Sequence, residues 1–218
     1  MTIVCRTVLP EIPTHNDPAG REHAGDHGAD SGEAAVGGEY SGGIGPESLP
    51  VSIGAALRFL AAVLQAKAVV EIGTGSGTTA LAMLEGMAPD GVLTSIDLDP
   101  DAQRVARATL AEAGVAGSRT RLITGVARDV LPRLTEEAYD LVFVDAVKQE
   151  YPHYLEVGTR LLRPGGALVF RGVVPDRDPG DPERCHAARE LTRAVHADTN
   201  LVPLVLPIGE GLLTIART

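Results

Sequence analysis

The sequence predicts an α/β fold in which a doubly wound, mostly parallel sheet ends in an antiparallel hairpin. Three observations predict it. From Pro50 onward, short β-rich runs alternate with helical ones, the pattern of strand–helix–strand crossovers. The first β-rich run closes on the glycine turn GTGSG and leads directly into a helix. At the end of the chain the alternation stops, and two β-rich runs flank a short IGEG turn.

The elements follow in order. VSIGAALRFLAAVLQA reads as a helix with a broad apolar face. KAVVEI is a short strand, and TTALAMLEGM is the helix after its glycine turn. VLTSID is a second strand, and PDAQRVARATLAEAG is a helix with Pro100 in its first turn. TRLIT is a third strand, followed by helical VARDVLPRL. YDLVFVDA is apolar enough to lie at the sheet centre. YPHYLEVGTRLL is helical, and RPGG turns the chain into the strand GALVF. PERCHAARELTRAVHAD is the last helix, and LVPLVLP and LLTIAR form the hairpin. Aromatic residues make up 3% of the chain and Trp is absent, so the core must be built from aliphatic side chains.

The chain divides at residue 47. Residues 1–47 are rich in Gly, Asp, Ala and His and read as a flexible segment, whereas 48–218 carry the folded domain. His15, His23 and His27 stand among acids, but a glycine-rich stretch does not preorganise metal ligands. Tyr40 could fold back over a ligand, and no sequence feature requires it to. Hydrophobic residues make up 44% of the 218, which suits a single globular domain.

The formal net charge of −10 removes the basic footprint that nucleic-acid binding needs. Cys5 and Cys185 lie far apart with no CxxC partner, which argues against a zinc site and a disulfide framework. That usage points to a reducing cytoplasm. The opening MTIVCRTVLPEIP is too short and interrupted for a signal peptide, and no run has the length of a membrane span.

The motif with the most chemical content is VVEIGTGSGTTAL, residues 69–81. Gly73, Gly75 and Gly77 allow a sharp turn and a close approach of backbone to ligand. Their spacing is GxGxG, and Thr78 stands where a dinucleotide fingerprint would place its next glycine. The departure argues against NAD and for S-adenosylmethionine, which has no pyrophosphate to seat. Glu71 ends the first strand, where an acid can meet the ammonium or sulfonium side of that cofactor. Asp97 ends the second, where a carboxylate can accept from both ribose hydroxyls. Each acid alone would be read as a solvated loop residue. The glycine turn between them makes the pair a cofactor crevice.

These stretches resemble the catechol-type, cation-dependent O-methyltransferase family, including its actinobacterial members. The resemblance covers roughly residues 48–218 and rests on VVEIGTGSGTTAL, LTSIDLDP, TGVARDVLPRL, YDLVFVDAVKQEY, LLRPGGALVF and PIGEGLL. It implies a Rossmann-like class I methyltransferase fold, S-adenosylmethionine as cofactor, a small-molecule acceptor and a homodimer. By the same resemblance Glu71, Gly73, Thr74, Gly75, Thr79 and Asp97 bind the cofactor. Ala127 and Arg128 would lie near the adenine, Leu49 near the methionine end, and Asp145 beneath the methyl group.

The family holds a divalent cation with an Asp at the fourth strand and an Asp-Asn pair after the fifth. A Lys three residues after the first Asp can act as base. Asp145, Lys148 and Tyr151 match, but Arg171 and Gly172 stand in place of the pair. Two of three protein ligands are therefore lost, and a metal is not expected. Arg171 has two readings of equal weight: a salt bridge to Asp145 that fills the vacated place, or a guanidinium that replaces the cation and holds an anionic oxygen. Asp145, Lys148 and Arg171 are the candidate catalytic residues. Tyr151 and Tyr154 read as packing or pocket-wall residues, and His153 and His186 as surface groups. The expectation is an O-methyltransferase without a catalytic metal. Its rivals are a cofactor-binding protein of this fold that has lost or changed its activity, and an RNA methyltransferase of the same family.

If residues 1–40 are a flexible segment, deleting them shifts Tm by less than about 2 °C. Thermal unfolding of the truncated chain checks this, and a fall well beyond that range would show a docked element.

Overall fold

A computed structural model of the chain describes residues 51–173 and 182–218. The helix α1 (Val51–Val63) leads into β1 (Ala68–Ile72), α2 (Thr78–Gly86), β2 (Val92–Asp97) and α3 (Pro100–Glu112). Then come β3 (Thr120–Thr124), the short α4 (Ala127–Val130), β4 (Tyr139–Val144) and α5 (Tyr151–Leu161). The chain ends with β5 (Leu162–Arg171), α6 (Pro182–Ala197), β6 (Leu201–Leu206) and β7 (Leu212–Arg217).

The seven strands form one sheet in the order β3-β2-β1-β4-β5-β7-β6. Strands β1 to β5 pair in parallel, and β7 runs antiparallel between β5 and β6. This is the doubly wound sheet with a terminal antiparallel hairpin that the alternation predicts. The order reverses beside β1, so the crevice at the carboxyl ends of β1, β2 and β4 is the place where such sheets bind ligands.

Strand alternation divides the core in two. Val70, Ile72, Val142, Val144, Leu168 and Phe170 face one side and pack with α5 and α6. Val69, Leu141, Phe143, Ala167 and Val169 face the other and pack with α1 and α2. Central strands covered on both faces must be apolar throughout, which is why YDLVFV carries no polar alternation after Asp140. The core is largely aliphatic; Tyr151 and Phe170 meet on the α5 face with ring centroids 4.9 Å apart, and Phe143 packs on the opposite face. At the amino edge, Asp140 accepts from the backbone N–H of Lys67 (2.7 Å) and Ala68 (2.9 Å) and from Arg163 Nε (2.6 Å). These bonds tie β1, β4 and β5 at their starts.

Two boundaries differ from the sequence reading. The helix expected over VARDVLPRL is α4 followed by a single 3₁₀ turn at Leu131–Arg133, because Pro132 has no N–H to continue α-helical bonding. The RPGG stretch is not a turn before β5 but part of it. Leu162 already pairs with Tyr139, and the register then shifts before Ala167 joins Leu141. The glycines absorb that irregularity, with Gly165 at φ +76°. Among the described residues, no helix is long and apolar enough to cross a membrane.

Candidate active site

The site is built where β1 meets its glycine turn. Gly73 N–H donates to the Ile96 carbonyl (2.9 Å), and Asp145 N–H donates to the Ile72 carbonyl (2.8 Å). The turn is thereby held between β2 and the end of β4. Gly73 sits at φ +92°, and a β-carbon on it would come within 2.0 Å of the Asp145 carbonyl oxygen. Only glycine fits a left-handed position pressed this closely on backbone.

Beneath the turn lies a buried polar network. Glu71 is fully buried and accepts from the hydroxyls of Thr79 and Ser95. Ser95 and Thr74 share a hydrogen bond of 2.6 Å between hydroxyls. Gln103 Nε2 donates to Thr74 Oγ1 (2.9 Å) and to the Ile123 carbonyl (3.1 Å). The network thus joins β1, β2, α2 and α3 under the turn. Burial pushes the Glu71 carboxyl from 4.5 up to about 7, against the opposing pull of its Ser95 and Thr79 hydrogen bonds.

Asp97 organises the upper side of the turn. Its Oδ2 accepts from the N–H of Thr74 (2.7 Å) and Gly75 (3.1 Å), and its Oδ1 from the N–H of Asp99 (2.9 Å). A carboxylate has about four acceptor positions. Three are used, so Oδ1 retains room for about one donor rather than the pair of hydroxyls the sequence suggests. Beside it, Leu98 is 70% exposed and Val126 is 44% exposed, at the carboxyl ends of the neighbouring strands β2 and β3. Two apolar side chains left open beside a carboxylate suit the flat face of a base next to a sugar. Ala127 is buried at the start of α4, and the Arg128 guanidinium lies 3.7 Å from Glu150.

A second, polar cleft of about 340 Å³ opens beyond β4 and β5, lined by the 145–149 loop, Arg171 and Glu210. Arg171 Nη1 donates to Asp145 Oδ2 at 2.6 Å. Burial alone would lower the Arg171 pKa, yet Asp145 and Glu210 outweigh it and hold the guanidinium above its ordinary value. Lys148 Nζ lies 4.0 Å from Glu210 Oε2. Gly172 is at φ +71°, and a β-carbon on it would fall 2.0 Å from Lys148 Nζ. Tyr151 is buried and its hydroxyl donates to the Arg171 carbonyl (2.7 Å), fixing the end of β5.

The candidate residues therefore fall into two adjoining groups. Gly73, Thr74, Gly75, Asp97, Glu71 and Thr79 come together around the turn, with Glu71 and Thr79 beneath it. Asp145, Lys148 and Arg171 come together in the polar cleft. The Asp145 backbone touches both groups. Leu49 lies outside the described residues, as do His15, His23, His27, Tyr40 and Cys5. Tyr154 is a buried packing residue whose hydroxyl donates to Glu150, and burial raises its pKa. His186 is an exposed partner of Glu190 (3.2 Å), whereas His153 is half-buried with its Nε2 shielded from solvent. Sequence reasoning missed Ser95, Leu98, Gln103, Val126 and Glu210. For Leu98 and Glu210 there was a signal: an apolar residue directly after the strand-ending acid, and an acid between two glycines in the closing turn.

The O-methyltransferase family matches residues 45–218. The chain belongs to this family. A protein of Mycolicibacterium vanbaalenii that carries an O-methyltransferase name is 46% identical over 178 residues, covering 80% of this chain and 79% of its own. One from Mycobacterium sp. strain JLS with the same kind of name is 42% identical over 216 residues, covering 93% and 98%. Among solved structures, the O-methyltransferase TomG of Streptomyces achromogenes, involved in tomaymycin synthesis and determined in complex with S-adenosylmethionine, superposes with a TM-score of 0.71. It is 29% identical, with 78% of this chain and 82% of that chain covered. Membership of the O-methyltransferase family accords with the class I methyltransferase fold and the S-adenosylmethionine dependence read from the sequence.

The residues present fit that cofactor: the glycine turn is bonded to Asp97, which keeps an acceptor position, and exposed Leu98 and Val126 follow the ends of the neighbouring strands β2 and β3. They do not fit the family's metal. Arg171 directs a guanidinium at Asp145, and Gly172 supplies no ligand. Among the described residues no cluster of three His, Cys, Asp or Glu side chains could hold an ion.

Two changes test this site. Asp97→Ala removes the candidate ribose acceptor and the two bonds that hold the turn, so calorimetry should show cofactor affinity falling by roughly 1–3 kcal/mol or more. Unchanged affinity would remove Asp97 from the site. Glu71 tests the buried network through pH. Its folded pKa lies above its unfolded value, so its stabilising contribution is complete below about pH 4.5 and is lost as pH rises to about 7. The loss is roughly 3 kcal/mol. Tm should fall over that window in the parent and fall less in Glu71→Gln. Equal slopes would show that Glu71 does not titrate as described.

Proposed function

We propose that this chain transfers a methyl group from S-adenosylmethionine to an oxygen of a small-molecule acceptor without a catalytic metal. The observation that carries the reading is the 2.6 Å contact between Arg171 and Asp145, with the side-chain-free Gly172 beside it. Positive charge stands next to Asp145 already, so a divalent ion there would meet repulsion and too few oxygens.

When bound, the sulfonium supplies an activated methyl group, and the protein has to align, desolvate and hold the acceptor oxygen as an anion. The glycine turn and Asp97 would hold the nucleoside, with Leu98 and Val126 against the base. The Asp145 carbonyl, pressed on Gly73, sets the distance between the two sites. Arg171 and Lys148 put positive charge where the acceptor oxygen becomes anionic, an electrostatic role that a preorganised group fills well. For an acceptor that arrives neutral, Lys148 would have to be in its uncharged amine form to take the proton, and it becomes a positive charge beside the oxygen only on doing so. A homodimer in the cytoplasm belongs to the same proposal. It rests on the family resemblance and on a cysteine usage with no CxxC pair, and solution mass measurements test the assembly.

If the metal is absent from the mechanism, EDTA leaves turnover intact and Mg²⁺ does not raise it. Arg171→Ala should lower turnover by a few hundredfold, about 3–4 kcal/mol, with cofactor affinity kept. If Arg171 only neutralises Asp145, the same change should reduce stability or cofactor binding first. Arg171→Asp with Gly172→Asn should create metal affinity that the parent lacks. Strong metal dependence in the unmodified protein would overturn the proposal.

A further inference from the structure

The polar cleft carries four charged side chains that are not equivalent. Asp145 is fixed, its N–H bonded to Ile72 at the end of β4 and its carboxylate held by Arg171. Arg171 is 20% exposed, and its Nε is shielded with no hydrogen-bond partner among the described residues. The Lys148 side chain is 12% exposed and packs over the bare Gly172. Glu210 differs from all three. It is 55% exposed and sits in the β6–β7 turn between Gly209 (φ +55°) and Gly211 (φ +89°). One of its carboxylate oxygens lies 4.0 Å from Lys148 Nζ and would be 3.2 Å from a β-carbon on Gly172.

A contact at 4.0 Å by an exposed acid is weak. The Glu210 carboxylate is therefore displaceable, unlike that of Asp145. It rests in a place bordered by an ammonium, a guanidinium and a glycine that leaves space. What the protein itself puts there is a carboxylate. A planar two-oxygen anion matches both an arginine fork and a lysine point charge.

We propose that Lys148 and Arg171 form a carboxylate seat in the acceptor pocket, that the acceptor bears a carboxylate which docks there, and that Glu210 covers the seat until the acceptor displaces it. The inference rests on the O-methyltransferase reading of this cleft and names its acceptor class. Gly172 is part of the seat, because any side chain there would crowd the Lys148 ammonium. Glu210 is a positioning residue that tunes access.

The test uses the full chain saturated with S-adenosylhomocysteine, titrated by calorimetry with benzoate and with its neutral analogue benzamide. Benzoate should bind at least about tenfold tighter than benzamide. Glu210→Gln should tighten benzoate several-fold and leave benzamide unchanged. Lys148→Met, which keeps the length of the side chain, should remove the preference for benzoate. Equal affinities for the two compounds, or no binding of either in both the parent and Glu210→Gln, would overturn the seat. Failure of S-adenosylhomocysteine to bind would instead sink the methyltransferase reading, and titration without it would still test the seat.

Discussion

The constraint on which the cofactor side of this protein depends is a carboxyl group buried at the middle of its sheet. Glu71 has no access to solvent, so it must be satisfied from within. Thr79 reaches it from α2 and Ser95 from β2. Through Ser95 the same network continues to Thr74 in the glycine turn, and through Thr74 to Gln103 on α3. Four elements are thereby locked at one point. With the underside fixed, the Thr74 and Gly75 N–H groups reach Asp97 above. The turn is held from below by a buried acid and from above by a half-exposed one. Only the upper acid keeps an acceptor position for a ligand.

The second constraint is steric. Gly73 lets the turn lie directly against the Asp145 carbonyl, so the proposed cofactor crevice would share a wall with the polar cleft. An in-line transfer between two bound molecules needs this closeness, since misalignment of about an ångström is costly in rate. The end of β5 is held with similar firmness. Tyr151, tilted against Phe170, donates to the Arg171 carbonyl and fixes the backbone from which the guanidinium projects. The charge beside Asp145 is therefore a preorganised feature of the fold rather than a surface ion pair.

This chain has the fold of the O-methyltransferase family. At the carboxyl end of β5 stand Arg171 and Gly172, neither of which brings an oxygen side chain to the cleft. Lys148 lies over the empty side of Gly172. Two monovalent cations held by two acids now occupy the region. Electrostatic stabilisation of an oxygen anion remains available there without an ion to bind.

The sequence by itself determined the order of the elements, because burial on both faces of a parallel sheet forces apolar runs and the crossovers force helices between them. The local requirement at Gly73 was also legible, since turn geometry depends on neighbouring residues alone. So was the lack of oxygen side chains at 171 and 172, which is a matter of residue type. Strand irregularity at 162–166 was not legible, because RPGG has turn chemistry and only the pairing of Leu162 with Tyr139 draws it into the sheet. The network of Glu71, Ser95 and Gln103 was hidden for a related reason. Its members lie on different strands and helices, and no spacing along the chain records that their side chains converge. The contact of Arg171 with Asp145, which the sequence offered beside a guanidinium that replaces the cation and holds an anionic oxygen, and the placement of Glu210 beside Lys148 are set by tertiary structure. Contacts between charged groups far apart in sequence are set by which strand ends the fold brings together, and that is fixed only once the sheet has closed.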